Sequence, residues 1–82
     1  MGNEKQRLLE SIEDFLKDKD DVVMGINYFP LPKQREYNVY FSQLREGQPR
    51  TLGHAKSPDL LDAMRSSYSK AVVMYDLLRG RK

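Results

Sequence analysis

The chain has no cysteine, no tryptophan, one histidine and no apolar run close to the ~20 residues of a membrane span. Without cysteine there is neither a disulfide nor a thiolate metal site. His54 alone cannot build a metal centre without several carboxylates around it, and no Ser or Asp stands at a spacing that names a catalytic triad. Its expected place is a strand end, packed or hydrogen-bonded beside the last helix. The five glycines are scattered and form no phosphate-cradling loop, and neither a nucleophile elbow nor an HExxH helix is present. Asp18, Asp20 and Asp21 resemble a cation loop only until Val22-Val23-Met24 interrupts them, so they are expected to solvate a turn. Met1-Gly2-Asn3-Glu4 lacks the character of a secretory leader, and Gln6 stands where a myristoylation signal wants Ser or Thr. These absences predict a cytoplasmic, non-enzymatic protein with no catalytic residues, no cofactor, no metal and no membrane partner.

What is there is short. Eighty-two residues are expected to form one domain, 1–82. Such a chain buries about two-thirds of its unfolded surface, so its stability margin is thin. The net charge of +2 is unevenly spread. Residues 1–21 hold seven acids and four bases (−3), residues 22–58 five bases and two acids (+3), and residues 59–82 five bases and three acids (+2). That asymmetry permits an anionic partner without requiring one.

Periodicity supplies the elements. Leu8, Leu9, Ile12, Phe15 and Leu16 make one apolar face of a first helix, with Asn3 and Gln6 as a capping pair. Val22–Phe29 and Glu36–Leu44 read as strands, separated by a connector containing Pro30 and Pro32. Alternation puts Val22, Met24, Ile26 and Tyr28 on one face with Tyr37, Val39 and Phe41. Arg50–Ala55 is the least secure strand. Ser57 is expected to cap the last helix, with Pro58 at its first position. Leu61, Met64, Tyr68, Ala71, Tyr75 and Leu78 then form a stripe of about six turns, closed by Gly80.

Two helices with single apolar stripes and a three-stranded meander with one apolar face define an α+β fold. The expected architecture is a two-layer sandwich, order α-β-β-β-α, with both helices on one face of an antiparallel sheet. The opposite face would then be bare, carrying Gly25, Asn27, Asn38, Tyr40, Ser42, Thr51 and Gly53, polar and small apart from Tyr40, Val23 and Phe29.

The element order is similar to that of the double-stranded RNA-binding domain. That family opens its second helix with a lysine cluster that meets phosphates. Here the same place reads Ser57-Pro58-Asp59-Leu60-Leu61-Asp62, acidic where the family is basic. No binding residue is carried over from it.

Two sets of site residues follow. The first is a protein interface made of Asn38, Tyr40 and Ser42 on the bare face, with Val73 and Leu77, two aliphatics on the polar side of the last helix. The second is a nucleic-acid surface made of Lys33, Arg35, Arg45, Arg50 and Lys56 around Tyr40. The expected function is protein–protein binding of adaptor or inhibitor type, the partner being another protein or a second copy in a homo-oligomer. Base rates for stand-alone chains of this size add a phage- or plasmid-encoded regulator. Nucleic-acid binding is the alternative.

Overall fold

Phe15 organises the helical layer. Its ring meets Phe41, Tyr68 and Tyr75 edge-on, with centroids 6.1, 5.7 and 5.9 Å apart. It thereby ties the first helix, α1 (Asn3–Lys17), to both the sheet and the last helix, α2 (Leu60–Gly80). Between them run β1 (Val22–Pro30), β2 (Arg35–Arg45) and β3 (Gln48–Ser57), antiparallel in the order β1-β2-β3. The computed structural model describes residues 3–30, 32, 35–45 and 48–80. The expected α-β-β-β-α sandwich is the observed fold, and β3 is a full strand of 10 residues.

The core cluster joins Ile12 and Phe15 of α1, Val22, Val39, Phe41 and Leu52 of the sheet, and Ala63, Met64 and Ala71 of α2. Leu9, included in the α1 face by periodicity, is exposed. The other four residues of that face pack on the core, Ile12 and Phe15 within it and Leu8 and Leu16 against it. Gln6 donates to Glu10 one turn on, at 3.4 Å, rather than pairing with Asn3.

Alternation holds through β1 and β2. Met24 stands opposite Phe41, and Ile26 opposite Val39, all on the helix side. In β3 it breaks. Phe41 pairs with Gly53 but Ser42 pairs with Thr51, so Leu52 is an extra residue at a bulge. Leu52 and Gly53 are consecutive, yet both lie on the helix side and both are buried. The expectation that Gly53 belongs to the bare face is therefore corrected. A Cβ there would strike the Ser67 carbonyl oxygen and come within 2.6 Å of the Ala71 backbone nitrogen. Glycine at 53, with Ala63, Ser67 and Ala71 recurring every four residues, lets α2 lie close against β3. Ser67 is fully buried and its hydroxyl donates to the Met64 carbonyl at 3.1 Å, so the small-residue contact leaves no hydroxyl unpaired.

The start of α2 is also corrected. β3 runs through Ser57, and the helix begins after Asp59. Asp59 is the cap: its Oδ2 accepts from the Asp62 N–H at 3.3 Å, and its carbonyl from the Ala63 N–H at 3.0 Å. Ser57 instead accepts the Asp59 N–H on its hydroxyl at 3.1 Å, turning the chain into the helix. Asp21 closes the other end of the sheet. Its carboxylate accepts from Gln43 Nε2 at 2.8 Å and its carbonyl from the Leu44 N–H at 2.7 Å. That satisfies the amide of Gln43, which is buried.

Candidate protein-interaction surfaces

Both helices lie on one side, and the molecule measures only 45 × 30 × 17 Å. The short dimension is what one sheet and one helical layer fill, since packed layers stand ~10 Å apart. Nothing among the described residues covers the second face of the sheet. Twist makes that face concave, with a volume of about 700 Å³. Asn27, Asn38, Ser42 and Thr51 form its polar floor, Val23 and Leu44 its apolar rim, and Tyr40 and His54 its aromatic centre.

Register explains the centre. Tyr40 stands opposite Gly25 on one neighbour and His54 on the other. With no side chain at Gly25, the Tyr40 ring lies across that glycine, where any Cβ would collide with it. The ring thus has a fixed seat. Next to it, Asn38 pairs with Asn27 and with Lys56. Its Oδ1 is buried and has no hydrogen-bond partner. A buried carbonyl oxygen without a donor costs about 1–3 kcal/mol.

Three residues assigned from sequence to the protein interface, Asn38, Tyr40 and Ser42, therefore converge on one concavity. Sequence alternation also places Val23 and Thr51 on this face but leaves out Leu44 and His54. Leu44 was readable, since it continues the alternation of Asn38, Tyr40 and Ser42. His54 hydrogen-bonds beside the last helix as expected, its backbone carbonyl accepting from Lys70 Nζ at 3.1 Å, but it lies within β3 rather than at a strand end, and the bulge turns its side chain to the bare face.

Val73 and Leu77 are 59% and 55% exposed, on the side of α2 that leans toward the edge of β3. A second groove of about 580 Å³ runs there, along the outer edge of β3. Leu52, Val73 and Met74 give it an apolar wall, and Ser69 and Lys70 form its rim. Leu77 lies one turn beyond Val73 on the same exposed strip.

The basic residues do not assemble. Lys56, opposite Asn38, is the only one of the five that the described register brings to the bare face. Arg35 pairs with Pro30, and Arg50 with Gln43, on the helix side. Lys33 lies outside the described residues, as does the side chain of Arg45. Among the described residues no group of three metal-ligating side chains gathers, and no helix is long and apolar enough to cross a membrane. Comparison with protein-family models, with curated proteins and with solved structures returns no significant match.

Proposed function

We propose that the chain is a non-enzymatic protein-binding module of adaptor or inhibitor type, whose principal contact is the bare face of the sheet. The observation that carries this reading is the concavity centred on Tyr40 and Asn38, where a seated aromatic ring adjoins an acceptor with no donor. An aromatic anchor among neutral hydrogen-bonding groups and an apolar rim is the composition of the centre of a protein interface. No Lys, Arg, Asp or Glu lines the concavity, and Lys56 and Glu36, which share its face by register, offset one another, so it is nearly neutral. The exposed Val73–Leu77 strip of α2 adds a second contact surface, suited to a further protein or to another copy of the chain.

The nucleic-acid alternative has less support. Stacking platforms work by surrounding an aromatic ring with cations that track the backbone, and here Arg35 and Arg50 lie on the opposite side of the sheet from Tyr40.

The test is capture of partners by the tagged chain from its native host lysate, with and without nuclease, using wild type, Tyr40→Ala and the double variant Val73→Asp/Leu77→Asp. A protein that survives nuclease and is lost with Tyr40→Ala supports the reading. Partners that vanish with nuclease, leaving enriched nucleic acid in the untreated sample, overturn it.

A further inference from the structure

We propose that the groove between β3 and α2 takes an extended acidic and apolar peptide segment of a partner protein, added as a fourth strand beside β3. The proposal names the occupant of the second contact surface and rests on the protein-binding reading for that surface alone.

β3 is an edge strand, so its outer backbone groups are free to template another strand. One of them already takes a substitute donor. Lys70 of α2 reaches over the edge, and its Nζ donates to the His54 carbonyl at 3.1 Å. An incoming strand supplies a backbone N–H for that carbonyl and releases the ammonium to a carboxylate on the same segment. The lysine then changes partner without losing one.

Charge selects the chemistry of the segment. β3 carries Arg50 and Lys56 and no acid, Lys70 stands at the rim, and no carboxylate lines the groove. Shape selects the rest. Alternate side chains of an added strand point toward α2, where Leu52, Val73 and Met74 form an apolar wall. A segment that alternates Asp or Glu with Val, Ile or Leu meets both requirements. A second copy of the chain does not: two β3 edges paired antiparallel about Gly53 would set Arg50 opposite the copy's Lys56, a destabilising like-charge pair.

The probe is a displayed library of random peptides of the length of β3, 10 residues, panned on the full chain. The expected result is enrichment of peptides alternating acidic and branched apolar residues. A synthetic peptide of the enriched sequence should lose at least about tenfold in affinity with Lys70→Gln and with Val73→Asp, one charged hydrogen bond or one apolar anchor each. It should bind Tyr40→Ala unchanged and shift the backbone amide resonances of residues 51–56. Enrichment of basic sequences, absence of any enriched peptide, or binding insensitive to both groove variants would overturn the proposal. So would a dimer of the free chain that Val73→Asp converts to monomer, since a second copy would then fill the groove. Failure to find any groove ligand for the wild-type chain while a Tyr40-dependent partner is still captured would sink this inference and leave the bare-face reading standing.

Discussion

Gly25 and Gly53 are both paired in strands, and both sit under a neighbour, but the neighbours differ in kind. Above Gly25 is the far end of the Tyr40 side chain, which can swing away; above Gly53 is the backbone of α2, which cannot. Gly53→Ala should therefore lower stability by about 3 kcal/mol, at the upper end of overpacking costs. In a domain of this size that is a fall in melting temperature of roughly 12–24 °C, readable by calorimetry or circular dichroism. Gly25→Ala should change stability by less than about 1 kcal/mol, since strands disfavour glycine and the ring can move. Its effect should appear in partner capture instead, because Tyr40 loses its seat. An equal melting-temperature loss for the two variants would contradict the distinction. Phe15→Ala removes a ring that meets three others and should cost about 3–5 kcal/mol, enough to unfold much of a chain with so small a core. Lys19 adds to that centre, its Nζ lying 4.5 Å from the Phe15 centroid and 5.0 Å from that of Tyr75.

Among the elements, α2 has two independent sides. Its inner side is held by Ala63, Met64, Ser67 and Ala71. Its outer strip of Val73 and Leu77 touches water, so Val73→Asp/Leu77→Asp should change stability by no more than about 0.5 kcal/mol per site, read from thermal melts. A double variant that unfolds would place those residues in the core, against the observed exposure. The cap distinguishes two neighbouring candidates. Asp59→Ala should cost ~1 kcal/mol of stability, whereas Ser57→Ala should cost less, because Ser57 accepts one N–H ahead of the helix and Asp59 accepts inside its first turn. Thermal melts of the two variants decide it. Both residues are cap-forming types in sequence; the length of β3 determines which of them arrives at the helix start.

For the whole molecule, the distribution of charge makes a prediction about partners. Oligonucleotide affinity at low salt should be weak and unchanged by Tyr40→Ala, because Arg35 and Arg50 do not share a face with that ring. Fluorescence anisotropy across a salt series tests this directly. A steep salt slope together with sensitivity to Tyr40→Ala would restore the nucleic-acid reading. The helical layer also covers the sheet unevenly. Ile26 and Tyr28, on the helix side of β1, remain 48% and 50% exposed, with Tyr28 stacked on Tyr37 at 4.9 Å. Apolar surface is thus distributed over both faces of a thin molecule, consistent with a chain that completes its burial in complexes.

Local pattern alone determined the five elements, their order, the helix-facing sides of β1 and β2, and the exposure of Val73 and Leu77. Those features depend on periodicity within one segment, and β1 and β2 keep theirs in the fold. What tertiary structure decided lies where two segments meet. The bulge at Leu52 is a property of the β2–β3 register, so no single-strand alternation shows that Gly53 turns inward and His54 outward. The close approach of α2 is carried by Gly53, Ala63, Ser67 and Ala71; of these only Ala71 falls in the apolar stripe, and the spacing of four that links it to Ala63 and Ser67 acquires meaning only against a glycine in the facing strand. The candidate site shows the same division. Asn38, Tyr40 and Ser42 alternate visibly along β2, but the seat of Tyr40 over Gly25 and the buried, unpaired Oδ1 of Asn38 exist only because β1 and β3 close over them from either side.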